Sequence, residues 1–587
     1  MRVRLLLWYD DTASFAENSM PGYTDALVDP IVHPEQFALQ VKSGGDPYGN
    51  SERHAYCKAW WKKYLPGGAD SNTGWTGNPN LQIMLRGIDR DITSDDINTM
   101  LNLDPEEKVM PSHEKRGIEA HIAGSEYDLL TKHPTHHQKP VLIDYAAPDE
   151  GSHAVGYVMG LNSITDYWDT KEHLIDEGSL RETASDGTIK DEIKHDYQSD
   201  TGKHTWFRSE DSMMQQIHGG KYQSLIPYQD YACRIEGDAL GALHQNFENG
   251  WNAVAPQAWK TTASDTDPLP SKIISPVIQE LNKDWRYQHR RSVSQVQIVR
   301  TQPVEQDKTI KKLYFQATNW AYNYIYIENQ YFFYPEFARH LKECREKFCD
   351  KYAEVCGKAG KTLQQMPALY LFIVIPLPEE KGMVPRTFET LAELGAGDEG
   401  MPGQAGHVDK RGDPDDSGNF VLDRASVEEL QAQFGLNVSV ARLCTSGLVG
   451  GKLAYREIYI HSKLMIIDDV FVTLGSANIN QRSMSVDSEM NIAATDPNDV
   501  ADLRRRIFNL HSGDQISGDG GRNAMPDVFK DWNKRMNDNY IAMAEGDAKL
   551  VGHLMPFMDK RKTSTMYASL DTNPSSDNPA IPQTMLA

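Results

Sequence analysis

The chain is 587 residues long, with a net charge of −23, 39% hydrophobic and 24% charged residues. Such a length buries large cores, and the composition is that of an ordinary globular protein, which excludes a disordered or fibrous chain. A surface this acidic repels phosphate backbones, so broad coating of nucleic acid is excluded too; a local basic cleft is not.

Six cysteines in so long a chain make no disulfide scaffold. Cys344, Cys349 and Cys356 lie further apart than the two-residue gaps usual in zinc sites, so they read as reduced thiols and no metal or other cofactor is expected. The opening "MRVRLLLWYDD" carries too short an apolar run for a signal peptide. No run of about 18 apolar residues is present. The expectation is a chain that is cytoplasmic in its producer, and any contact with lipid would have to be peripheral.

In chain order, "VRLLLWYDD" reads by composition as a buried strand of a parallel sheet, and residues 66–131 as a long polar insertion. A strand follows in "HHQKPVLID" (136–144), then an apolar strand ending in a small-residue turn, "AVGYVMGLN" (154–162). "KKLYFQATNWAYNYIYIENQYFF" predicts a helix running into an aromatic strand, followed by a helix over 334–358 and a buried strand in "LYLFIVIP". Residues 396–419, rich in Gly and Asp, read as a mobile loop. Next come "YIHSKLMIIDD" and "VFVTLGSAN" (470–478), again strands with a small-residue turn. The Ser/Thr/Asn/Pro-rich tail, 563–587, reads as disordered.

The skeleton His-x-Lys-x4-Asp therefore occurs twice, as His137, Lys139, Asp144 and as His461, Lys463, Asp468. Matching flanks make this a repeat of structure. The predicted fold is α/β, with two similar, mainly parallel sheets flanked by helices and related by a pseudo-twofold axis. The halves fall at 1–290 and 291–562. The second half has a helix and a strand before "LYLFIVIP", whereas nothing precedes "VRLLLWYDD". The first half thus starts one β-α step late: either that step is dispensable, or another segment or chain completes the sheet edge.

Residues two apart on a strand share a face, so each His-Lys pair is presented together, while Asp144 and Asp468 start on the other face and read as structural. An ammonium beside an imidazole suits an anionic phosphate, the Lys holding charge and the His moving protons or attacking phosphorus. Two histidines can divide the tasks of nucleophile and acid. Asn162 and Asn478, with neighbouring backbone N–H groups and with Gly475 and Ser476 of the second turn, are candidate donors to phosphate oxygens. Asp169 and Glu489 are candidate carboxylates for orienting the histidines. One such motif on a strand is weak evidence; two, each followed by a Gly-containing turn and Asn, point to catalysis. His136 reads as a neighbour of the site, His133 and His153 as surface residues.

The chain resembles the phospholipase D superfamily, and more closely its true phospholipase branch, through "HHQKPVLID", "IHSKLMIIDDVFVTLGSANINQRSMSVDSEMNIA", "YIENQYF", "YACRIEGDALGALHQNFENGWN" and "DLRRRIFNLHSG". The resemblance implies a two-lobed fold with one site between the lobes, and hydrolysis of the phosphodiester between phosphatidyl and headgroup. It implies His137 as the nucleophile that forms a phosphohistidine, His461 as acid and then base, and Lys139, Lys463, Asn162 and Asn478 as phosphate ligands. Met159-Gly160 stands where the family's first turn has Gly-Gly, and no calcium-binding module precedes the catalytic region, so calcium dependence is not implied. The texture is similar to bacterial phospholipases D, among them lipase effectors delivered by type VI secretion. A secretion apparatus, a chaperone or an immunity protein would then be partners. Alternatives on the same motifs are a phosphatidyltransferase of the cardiolipin-synthase kind, a nuclease, or a decayed lipid-binding protein.

Overall fold

A computed structural model describes residues 3–8, 64, 81–87, 96, 99–100, 134–145, 154–162, 169, 171–173, 227–255, 260, 294–359, 366–378, 383–404, 426–449, 452–516, 518, 520–546 and 548–560. The first half contributes β1 (Val3–Trp8), β2 (Leu81–Arg86), β3 (Val141–Ile143), β4 (Val155–Met159), β5 (Tyr228–Gln229) and β6 (Ala232–Ile235). The second half adds β7 (Val296–Gln302), β8 (Asp307–Lys308), β9 (Tyr324–Asn329), β10 (Phe332–Phe333), β11 (Leu369–Val374), β12 (Leu436–Val449), β13 (Lys452–Ile460), β14 (Lys463–Ile467), β15 (Phe471–Gly475), β16 (Ile479–Asn480), β17 (Glu489–Ala494) and β18 (Leu554–Pro556).

The main sheet runs β5-β13-β12-β11-β9-β14-β15-β17-β7-β8, with β18 on β12. β9, β11 and β12 are parallel neighbours. From β9 outward through β14, β15, β17 and β7 every pairing is antiparallel. In the first half β3-β4-β6 is antiparallel as well, while β1 and β2 are parallel. The fold is α/β, but its sheets are mixed and not mainly parallel. β14 returns through the three residues Asp468–Val470 into β15, and so tight a turn forces antiparallel pairing.

The region expected to be a polar insertion, 66–131, contains β2, whose "LQIMLR" pairs residue for residue with "VRLLLW" of β1. β1 and β2 thus repeat the parallel pairing of β11 and β12. The expected loop at 396–419 starts instead with a short helix, Gly397–Gly400; residues 405–419 and the tail 563–587 lie outside the described residues.

The central strands are buried on both faces, so alternation shows in their partners and not in polarity. Ile325 and Ile327 of β9, with Leu371 and Ile373 of β11, pack under the helices Thr309–Asn319 and Pro335–Lys358. Tyr324, Tyr326, Phe372 and Val374 face the other way, onto Phe508 and Trp532 of the helices Pro497–Ser512 and Met525–Glu545. This second core continues into the first half through Val158, Ile235, Leu240 and Leu243. The two halves therefore share one apolar interior, and the motifs lie where they meet. Among the described residues no helix is long and apolar enough to cross a membrane.

Candidate active site

His461 follows β13, and Lys463 opens β14. The His461 N–H donates to the Gln229 carbonyl at 2.9 Å, extending the parallel pairing of β13 with β5. The residue after Gln229 is Asp230, and its Oδ2 lies 2.7 Å from His461 Nδ1. The other motif repeats this with the halves exchanged. His136 bridges in parallel to Ser488, and the His137 N–H donates to the Ser488 carbonyl at 2.9 Å. The residue after Ser488 is Glu489, with both carboxylate oxygens 3.0 Å from His137 Nδ1. Each histidine therefore takes its carboxylate from the opposite half. Binding at Nδ1 places the proton there and leaves Nε2 as the reactive nitrogen of each ring.

The lysines repeat a second local arrangement. Lys139 Nζ donates to the His137 carbonyl at 2.6 Å, and Lys463 Nζ to the His461 carbonyl at 2.5 Å and to Gln330 Oε1 at 2.8 Å. Each ammonium curls over the carbonyl of its own motif histidine. Gly160, in the altered first turn, lies against the same group: a Cβ there would stand 2.9 Å from Asp230 Oδ1 and 3.1 Å from Lys463 Cδ.

Burial and mutual charge perturb these groups, as expected where proton transfer is prepared. Burial lowers Lys139 to about 8 against the pull of Glu489, Asp230 and Asp487. Burial raises Asp230 to about 7, opposed by Lys463 and Lys139. Burial also lowers His137, with Lys139 and Lys463 adding to the effect and Glu489 resisting it. Burial pushes Glu489 up, but His137, Lys139 and the Ser476 hydrogen bond outweigh it and hold the carboxyl below its usual value. Lys463 acts on His137 and Lys139 on Asp230, so the two motifs share one electrostatic site.

The sequence profile of the Phospholipase D family matches residues 106–385 and 445–517, more than half of the chain and including both motifs. This chain belongs to the phospholipase D family. It is similar to phospholipase D alpha 4 of Arabidopsis thaliana, 25% identical over 428 residues, which are 68% of this chain and 52% of that protein. It is also similar to phospholipase D alpha 2 of Arabidopsis thaliana, 28% identical over 416 residues, 62% of this chain and 46% of the relative. The chain spans about half the length of the curated relatives it matches. Among solved structures it is similar to the phospholipase D family member Nuc of Salmonella typhimurium, with 15% identity and a TM-score of 0.20 over 36% of this chain and 89% of that one. A second is phosphatidylserine synthase of Haemophilus influenzae, with 15% identity and a TM-score of 0.23 over 55% and 64%.

Within this phospholipase D family chain, three expected roles change. Asp169 does not reach a motif histidine. Its Oδ2 lies 2.7 Å from His173 Nδ1 and accepts the Tyr228 N–H at 2.9 Å, while His173 Nε2 lies 2.7 Å from Gln229 Oε1. Asp169 thus anchors the strand that carries Asp230, and Asp230 orients His461. The signal was present in the sequence: "QDYACRI" places a carboxylate before β6 as "SEMNIAA" places one at the start of β17. The long segment between Asn162 and Tyr228 concealed the equivalence.

Ser476 and Gly475 were expected to bind substrate. The Ser476 hydroxyl instead donates to Glu489 Oε2 at 2.5 Å, and a Cβ on Gly475 would stand 2.2 Å from the Met490 carbonyl. The backbone N–H groups of Ser476, Ala477 and Ile479 are taken by Met490 O, Asn491 Oδ1 and Asn329 Oδ1. The turn therefore supports β17 and Glu489. Asn478 is buried at its tip, its Oδ1 without a protein partner, and Asn162 is half-buried in the first turn.

Asp468 has φ +54 and accepts the backbone N–H groups of Tyr322, Asn323 and Tyr324 at 2.7–2.9 Å. Asp144 ends β3 in the same left-handed conformation, φ +58. His136 ties three segments together, with Nδ1 2.8 Å from Ser488 Oγ and Nε2 3.1 Å from the Gly87 carbonyl. Among the described residues no group of three or more His, Cys, Asp or Glu could hold a metal ion.

Proposed function

We propose that this protein is a phospholipase D that hydrolyses the distal phosphodiester of membrane glycerophospholipids to phosphatidic acid and a free headgroup alcohol. The observation that carries this is the reciprocal exchange of carboxylates, Asp230 to His461 and Glu489 to His137, with an ammonium beside each imidazole. A single phosphate between two such rings meets a nucleophile on one side and a proton donor on the other.

In this reading His137 Nε2 attacks phosphorus, the phosphorus–oxygen bond to the headgroup breaks, and His461 Nε2 gives its proton to the leaving alkoxide. Water then attacks the phosphohistidine while His461 takes a proton from it, the phosphorus–nitrogen bond breaks, and phosphatidic acid leaves. The asymmetry of the two pairs supports this division of labour. His137 is the more accessible ring, with 13% of its side chain exposed against 3% for His461. Its lowered proton affinity keeps Nε2 a free nucleophile near neutral pH, and the ionised Glu489 steadies the positive ring of the intermediate. Burial raises Asp230, the carboxyl on His461 Nδ1, to about 7, so a proton can be held on this side of the site near neutrality. Lys139, Lys463 and Asn478 would neutralise and hold the phosphoryl oxygens.

Vesicles of phosphatidylethanolamine and phosphatidylcholine, assayed for phosphatidic acid and free headgroup with plasmid DNA as control, test the proposal. Release of both lipid products is expected. Cleavage of DNA without cleavage of lipid would overturn it. A phosphatidyl group on His137, trapped by rapid quench and located by mass spectrometry, checks which histidine attacks.

A further inference from the structure

Glu328, near the end of β9, is fully buried, and the mechanism above leaves it without a task. Its neighbour Asn329 pairs across the sheet with Lys463, so Asn329 stands on the catalytic face and Glu328 on the opposite one. The two oxygens of Glu328 collect four donors. Ser462 Oγ lies 2.5 Å from Oε1; on Oε2 converge the hydroxyls of Tyr326 at 2.6 Å and Tyr231 at 3.0 Å, and His511 Nε2 at 2.9 Å.

Two of these donors have telling places in the chain. Ser462 is the residue between His461 and Lys463, and its hydroxyl lies 3.0 Å from the Gln229 carbonyl as well. Tyr231 is the residue after Asp230, and its N–H donates to Asp230 Oδ1 at 2.7 Å. One carboxylate therefore grips, in the second half, the neighbour of the histidine and, in the first half, the neighbour of the aspartate that orients it. Burial pushes Glu328 up, but His511 and the hydrogen bonds of Ser462 and Tyr326 outweigh it and keep the group below the usual carboxylate range. An ionised, four-coordinated carboxylate in a dry interior is a rigid anchor.

We infer that Glu328 is a positioning residue that locks the His461–Asp230 pair across the two halves, with His511 Nε2 as a further hydrogen-bond partner. The inference rests on the proposed role of His461 and Asp230 in phosphodiester cleavage. It adds that the register of that pair is set from behind the sheet. The charged groups acting on the pair are Lys463 and Lys139 on the catalytic side and Glu328 on the other, with His511 behind Glu328; Tyr231 and Tyr459 flank it.

The test is histidine C2 hydrogen–deuterium exchange of the full chain read by mass spectrometry, which reports the titration of His461 without any substrate. Glu328→Gln removes a negative charge near the pair, so His461 should release its proton at a pH lower by roughly one unit. His511→Gln keeps the Glu328 charge and replaces only one of its four hydrogen-bond partners, so it should shift the titration less. A larger downward shift with Glu328→Gln than with His511→Gln identifies the charged anchor; no shift with Glu328→Gln, or an equal shift in both, overturns it. Should Glu328→Gln not fold, Tyr231→Phe and Ser462→Ala cut the two links singly. Each should speed His461 exchange several-fold, and wild-type exchange in both would overturn the inference. On phospholipid vesicles Glu328→Gln should lose about tenfold in kcat with KM within about twofold. If the wild-type protein cleaves no phospholipid, the functional reading fails while the exchange measurement still decides the anchor.

Discussion

Asp230 Oδ2 lies 2.7 Å from His461 Nδ1, although the two residues are 231 positions apart and belong to different halves. Asp230→Asn keeps the shape but loses the charge that holds the Nδ1 proton and steadies a protonated ring. Loss of the orienting carboxylate in a histidine-based site costs on the order of 10³–10⁴-fold in kcat. A drop of that size is expected with phospholipid vesicles, with an unchanged far-ultraviolet circular dichroism spectrum. Asp169→Asn, acting only through His173 and the Tyr228 backbone, should cost less than about tenfold.

The pH dependence of kcat/KM follows from His137 and Lys139. His137, below its ordinary value, is neutral and nucleophilic above about pH 6.5, so the acid limb should lie below that pH. Lys139, at about 8, is charged below that pH and loses its charge above it, so the rate should fall through about pH 8. Lys139→Arg keeps the charge at higher pH and should carry the alkaline limb upward. A limb that stays in place would assign it to the His461–Asp230 pair instead.

The two turn glycines should separate stability from catalysis. Gly475→Ala drives a Cβ to 2.2 Å from the Met490 carbonyl and 2.3 Å from Asn491 Oδ1, inside a strand pairing that has no room to yield. It should cost about 3 kcal/mol or more in a denaturant titration. Gly160→Ala meets the Asp230 carboxylate at 2.9 Å and the flexible Lys463 stem at 3.1 Å. It should leave the midpoint nearly unchanged and lower kcat about tenfold by displacing the acid side of the site.

Asp468 serves the fold, as its three backbone bonds and left-handed conformation indicate. Asp468→Ala orphans those N–H groups and forces Ala into φ +54, with an expected loss of about 1–3 kcal/mol. Asp468→Asn keeps an acceptor and tolerates that conformation, so it should lose less. Specific activity per folded molecule should stay close to wild type in both, measured after correction for the folded fraction.

The two motifs, the α/β class and Glu489 were legible in the chain because they rest on local order. A His-x-Lys pair is displayed together by any extended backbone, and "VDSEMNIA" puts a carboxylate next to a strand within a few residues of its turn. Apolar runs such as "LYLFIVIP" announce buried strands wherever they occur. Local order could not tell parallel from antiparallel pairing, and it concealed β2 inside a stretch of mostly polar sequence.

Tertiary structure alone decided which groups meet. Asp230 and Asp169 are both acidic residues downstream of the first turn, and the strand context that marks Asp230 does not say which histidine it meets. Only the parallel pairing of β5 with β13 brings Asp230 to His461 and leaves Asp169 behind it, on His173. Ser476 looked like a phosphate ligand because it lies in the turn; packing of that turn on β17 turned its hydroxyl to Glu489. Glu328 stayed inconspicuous within an aromatic strand until folding set Ser462 and Tyr231, from opposite halves, on its two oxygens. The reason is the same each time: sequence fixes what a residue can donate, accept or bury, whereas long-range strand pairing fixes what it finds there.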